Sequence, residues 1–201
     1  MRIIRLLPWL FALYAGSAPL ALAQPAAANW GLAQLMHELS KVRSASASFT
    51  ERKTVQVLNA PLVASGSLSY VAPDYIRKTT LRPVPENFVL DHGQITISGG
   101  PDQQTHVFSL NADPRIGGLV EGIRAALAGD LPALDRLYTV QLSGSAADWQ
   151  LLLQPKNPGV AQMIKWIIIR GQQDHLDGLD TASGNGDHSE MSIAEDVSDA
   201  Q

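Results

Sequence analysis

From Ser44 to the end of the chain, apolar and polar residues alternate with a period of two in one short run after another, and turn residues separate the runs. Successive side chains of a strand point to opposite faces, so each run buries one face and wets the other. A chain built mostly of such runs folds as an antiparallel sheet. Ala45, Ala47 and Phe49 alternate with Ser46, Ser48 and Thr50, and Val55 and Val57 resume the pattern. Gly66, Leu68 and Tyr70 alternate with Ser65, Ser67 and Ser69, and residues 75–81 follow the Pro73-Asp74 turn. Residues 86–91 and 94–98 flank His92-Gly93, and residues 104–110 make a sixth strand. Residues 137–143, 149–154, 166–170, 176–182 and 188–195 bring the total to about eleven. Gly184-Asn185-Gly186 joins the last two through a tight turn. A sheet this long curls until one face closes on a core or a cavity.

Two stretches change period. Asn29 is placed to cap a helix over residues 30–42, where Leu32, Leu35, Met36, Leu39 and Val42 form one stripe. Between the sixth and seventh strands, Asp113 and Pro114 open a second helix whose apolar stripe is Ile116, Leu119, Val120, Ile123 and Leu127. Gly117 and Gly118 weaken it, each by roughly 1 kcal/mol relative to alanine. This pattern fits a mobile lid over a cavity, and it also fits an ordinary packed helix. Residues 160–165 allow a further helical turn. The expected fold is therefore mainly β with α, an antiparallel sheet whose concave face is covered by helices.

The N-terminus reads as a secretion signal. Arg2 and Arg5 precede an apolar run broken by Pro8, Gly16 and Pro19, and Ala21-Leu22-Ala23 is a small-x-small cleavage site. Residues 1–23 are thus expected to be removed and residues 24–201 to form one domain of the periplasm. The 15 basic residues, less Arg2 and Arg5, face 19 acidic ones. A chain of that sign has no electrostatic reason to seek nucleic acid. Cysteine is absent, so no disulfide, thiol nucleophile or acylated lipoprotein anchor is available. The five histidines fall at no metal-ligand spacing, and no nucleophile elbow, phosphate loop or dinucleotide fingerprint occurs. Asp174, Asp177, Asp180, Asp187 and Glu190 do not match a calcium loop and read as solvated side chains. Neither a metal, a cofactor nor a catalytic residue is expected.

Several short motifs resemble the LolA-like periplasmic lipoprotein carriers. Residues 35–51, L-M-H-E-L-S-K-V-R-S-A-S-A-S-F-T-E, are similar to that family's first helix and A-x-F-x-Q-like first strand. Gly66-Ser67-Leu68 followed by Pro73, and Leu151-Leu152-Leu153-Gln154-Pro155-Lys156, match its second strand and its L-x-P-K strand end. The resemblance runs through the mature chain in order. It implies an open half-barrel of eleven strands covered by helices. It also implies a carrier that takes acyl chains of a lipoprotein from an inner-membrane donor to an outer-membrane acceptor, without a cofactor or bond cleavage. Two departures mark a divergent member. Ala72 stands where the family has a lid-locking arginine before the turn proline, so Arg77 on the next strand is the substitute, provided it points inward. The chain also ends without the family's P-x-G-V segment.

The expected function is a monomeric periplasmic carrier of acylated lipoprotein or a related lipid. Leu68, Tyr70, Phe88, Leu90, Ile95, Ile97, Trp149, Leu151 and Leu153 would line the cavity, under a lid of Ile116, Leu119, Val120, Ile123 and Leu127. A sensor or accessory protein that binds acylated ligands without transporting them is the alternative, and an enzyme of envelope lipid metabolism is a third.

Overall fold

The computed structural model describes residues 30–195; the stretch expected to be a secretion signal, the expected cap Asn29 and the residues after Glu195 lie outside them. All eleven expected strands form: β1 (Ser44–Thr54), β2 (Leu62–Val71), β3 (Tyr75–Arg82), β4 (Glu86–Asp91), β5 (Gln94–Gly99), β6 (Gln104–Ser109), β7 (Tyr138–Ser145), β8 (Asp148–Pro155), β9 (Ile164–Gln172), β10 (His175–Ser183) and β11 (His188–Glu195). They make one antiparallel sheet in the order β6-β5-β4-β3-β2-β1-β11-β10-β9-β8-β7. The sheet consists of two meanders joined where β1 pairs with β11, Phe49 opposite Ile193 and Glu51 opposite Met191. β6 and β7 are consecutive strands, yet they are the two outer edges. The chain travels between them through helices instead of a hairpin, so the sheet stays open.

Those helices are α2 (Pro114–Leu127) and α3 (Leu131–Leu137); α1 (Leu32–Leu39) precedes the sheet and α4 (Pro158–Met163) joins β8 to β9. α3 was not expected from the apolar pattern. Its N-cap is Asp130, whose side chain accepts a hydrogen bond from the Ala133 amide at 3.1 Å, with Pro132 in the first turn. α1 is shorter than its stripe. It starts after Gly31 without a side-chain cap and ends in a turn at Ser40 that leads into β1. β1 stops at Thr54 because His188, its last partner, begins β11. Beyond it the Gln56 amide donates to the Asp187 carboxylate at 3.1 Å, and Val57, expected to continue the strand, is exposed.

Two apolar clusters lie between helices and sheet. In the larger, Leu35, Met36 and Leu39 of α1, Ala125 and Ala126 of α2 and Leu134 of α3 cover Trp149, Leu151, Leu153, Ile167 and Ile169. Each fully buried side chain of this size contributes roughly 1.5–3 kcal/mol. In the smaller, Leu90, Ile95 and Val120 are packed with Ile76, Phe88, Ile97, Phe108 and Ile116. The glycines that lower the helix propensity of α2 serve close packing. A Cβ at Gly118 would come within 2.8 Å of a Val160 methyl, and one at Gly122 within 2.5 Å of the Tyr138 ring. The Tyr138 hydroxyl donates to the Gly118 carbonyl at 2.8 Å, and burial pushes its pKa up to about 12.

Candidate functional site

The stripe of α2 and its glycine side lie on opposite sides of the helix, so α2 is seated on one side and forms a ceiling on the other. Between that ceiling and the middle of the sheet is a cavity of about 610 Å³. Volumes of about 300–1,000 Å³ are typical of small-molecule sites. Leu119, Val120, Ile123 and Leu127 form the ceiling. Inward side chains of the central strands form the floor: Ala45 and Ala47 of β1, Leu68 and Tyr70 of β2, Leu179 of β10 and Met191 of β11. Exposed Ser44, His175 and Glu195 stand at one rim. There His175 Nδ1 lies 2.9 Å from Glu195 and Nε2 lies 3.3 Å from Asp174.

Of the residues expected to line a pocket, Leu68, Tyr70 and Phe88 do so. The others are placed elsewhere. Leu90 and Ile95 are fully buried in the smaller cluster, with half-buried Ile97 packed against them, under the N-terminal half of α2. Trp149, Leu151 and Leu153 are filled-in core beneath α1 and α3. Alternation identifies the concave face, but the helices decide which part of that face stays open. Within the expected lid, Ile116 packs into the smaller cluster, Val120 belongs to that cluster and also borders the cavity, and Leu119, Ile123 and Leu127 face the cavity.

Arg77 is exposed, while its neighbours Ile76 and Lys78 line the cavity; strand alternation therefore turns it away from α2. The contact between lid and turn comes from the helix. Arg124 of α2 donates from Nη1 to the Pro73 carbonyl at 3.2 Å. Its guanidinium also forks onto Glu121 at 2.7 and 2.8 Å and reaches Asp130, the cap of α3, at 3.2 Å. These hydrogen bonds raise the arginine pKa further, against burial, so the charge is permanent.

The cavity also holds a charged cluster of Glu51, Lys78 and Ser189, which the apolar alternation does not single out. Lys78 Nζ lies 2.5 Å from Glu51 Oε2, and the Ser189 hydroxyl donates to Glu51 Oε1 at 2.6 Å. Burial would raise the Glu51 carboxyl, but the Lys78 charge and these hydrogen bonds hold it below the ordinary value. Lys78 also sits 4.9 Å over the Phe49 ring. Their parity was legible: Glu51 is in phase with Ala47 and Phe49, and Lys78 with Ile76. On the opposite face, Asp180, read as solvated, forks onto Arg170 instead. Among the described residues no three His, Asp or Glu side chains converge as a metal set, and no helix is long and apolar enough to cross a membrane. The arrangement can shelter an apolar group and offers it few polar contacts.

No curated protein matches the chain in sequence. Among solved structures, a LolA superfamily protein from Nitrosomonas europaea is similar at 9% identity and a TM-score of 0.42, over 80% of this chain and 90% of that one. A DUF1329 family protein from Desulfovibrio piger is similar at 13% identity and a TM-score of 0.44, over 83% and 91%. A chain of the Pseudomonas aeruginosa MucA/MucB complex is similar at 13% identity and a TM-score of 0.44, over 81% of this chain and 55% of that one. The model of the outer membrane lipoprotein carrier protein LolA-like family matches residues 23–201, and the chain belongs to that family.

Proposed function

We propose that this protein is a periplasmic carrier that holds acyl chains of a lipoprotein, or of a related lipid, in the cavity under α2 and moves them from the inner towards the outer membrane. The observation that carries the reading is the ceiling: four apolar residues of a helix inserted between the halves of the sheet face an unfilled apolar volume. Family membership supports it. In this reading residues 1–23 are a cleaved signal, residues 24–201 are the working domain, and the carrier acts as a monomer without a cofactor. Each methylene sheltered contributes about 0.8 kcal/mol, so cargo leaves only when an acceptor competes or the ceiling moves. Movement of α2 away from the β2–β3 turn must break the Arg124 bond to Pro73.

A two-vesicle assay tests the proposal. Inner-membrane vesicles carrying a labelled acylated lipoprotein are mixed with the mature protein and then with outer-membrane vesicles. Label that leaves the first and reaches the second only when the protein is present agrees with carriage. Label that stays bound to the protein points to the sensor, and hydrolysed label points to an enzyme.

A further inference from the structure

Apolar walls hold a chain but do not say where its polar end belongs. Among the described residues, the buried side-chain polar atoms without a hydrogen-bond partner are the Tyr70 hydroxyl and Trp30 Nε1. Trp30 packs against the larger core cluster, whereas Tyr70 lines the cavity and is only 5% exposed. Buried polar groups are almost always paired, because an unmade bond costs more than a made one gains. The other polar cluster on the floor, Glu51 with Lys78 and Ser189, is neutralised and bonded internally and calls for no further partner.

The surroundings of Tyr70 specify what would satisfy it. Tyr70 is the last inward residue of β2, opposite Ala45 of β1 and Ile76 of β3. Burial holds the Tyr70 hydroxyl above its ordinary pKa, against the weaker pull of Arg124 and Arg43, so the group keeps its proton. Arg124 is committed to Glu121, Asp130 and Pro73. Arg43 is exposed just before β1, its carbonyl accepts from the Ala72 amide at 2.9 Å, and its guanidinium has no ion pair with another described residue. A buried O–H donor without a partner favours an acceptor oxygen, and Arg43, two residues before the Ala45 that pairs with Tyr70, is an exposed cation at the same end of the strands.

We propose that Tyr70 is the head-group site of the cavity: its hydroxyl donates to the carbonyl or carboxylate oxygen of an acyl ligand, Arg43 attracts that oxygen when it is ionised, and the hydrocarbon lies under Leu119, Ile123 and Leu127. This rests on the cavity reading above. It gives the ligand a direction, with its oxygen at the β2–β3 turn, where Arg124 ties α2 down. Free fatty acid and ester- or amide-linked acyl groups share this chemistry, and charge separates them.

Delipidated mature protein and its Tyr70→Phe and Arg43→Gln variants are titrated, by displacement of a fluorescent apolar probe, with palmitate, methyl palmitate and hexadecyltrimethylammonium. The last has the same chain and no acceptor oxygen. Tyr70→Phe weakens palmitate and its ester by about fivefold to tenfold, the worth of one hydrogen bond, and leaves the ammonium compound unchanged. If Arg43→Gln weakens palmitate alone, the site takes a carboxylate by charge; if it weakens neither, the site takes the neutral carbonyl and the Arg43 part is wrong. Equal affinities in wild type and Tyr70→Phe, or equal loss for all three ligands, overturn the Tyr70 assignment while the cavity reading stands. Failure of wild type to bind any of the three overturns both.

Discussion

The charged side chains on the cavity floor show how much one residue's parity decides. Glu51 and Lys78 occupy inward positions on β1 and β3, where an unpaired charge is costly, and each is the other's compensation. Lys78→Met leaves Glu51 with Ser189 alone and destabilises the fold by about 1–3 kcal/mol in urea unfolding at neutral pH. The pH dependence has a definite sign. The folded Glu51 carboxyl lies below its ordinary 4.5, so its contribution is present above that pH and is lost as pH falls through the lower folded value. The gap between wild type and Lys78→Met should therefore close below pH 4.5; a gap that persists in acid assigns the effect to packing of the lysine stem. Both residues could have been found from their phase with Ala47, Phe49 and Ile76. What the sequence does not display is which inward positions remain uncovered.

At the scale of the element, α2 does two jobs with two sides. Propensity alone says that Gly122→Ala stabilises a helix by about 1 kcal/mol. The Tyr138 ring, 2.5 Å from the new methyl and itself buried, reverses the sign, and a loss of about 1–3 kcal/mol in thermal or urea unfolding is expected. On the other side, Ile123 faces the cavity and belongs to neither core cluster, while Leu119 also packs against the larger one. Ile123→Asp should abolish binding of an apolar probe with an unfolding midpoint close to wild type, and Leu119→Asp should cost stability as well. Loss of folding in Ile123→Asp would make the stripe core and not ceiling. Arg124→Gln, which loses the fork onto Glu121 and weakens the tie to Pro73, should speed ligand release in stopped-flow displacement. An unchanged release rate would place the gate elsewhere. The stripe and the Asp113-Pro114 start of α2 were legible in the sequence. The reason for its glycines was not, because Tyr138 and Val160 approach only in the fold. α3 was missed because seven residues are too short for a stripe, although Asp130 and Pro132 are ordinary start signals.

For the whole molecule, the alternation was sufficient to place eleven strands, since each run carries its own turn signals. The pairing of β1 with β11 depends on contacts between the two ends of the chain, which no local pattern contains. That pairing and the helical route from β6 to β7 leave an open sheet with its middle under α2. Leu90, Ile95, Trp149, Leu151 and Leu153 have the right parity but lie where helices already fill the concave face. Leu68, Tyr70 and Phe88 lie where they do not. An apolar volume of this size between α2 and the sheet should hold an acyl chain in the cell. Mature protein purified from a periplasm should release acyl lipid or acylated peptide on solvent extraction and mass spectrometry, in stoichiometric amount. An empty extract, together with failure of fluorescent fatty-acid probes to bind the purified protein, would contradict it.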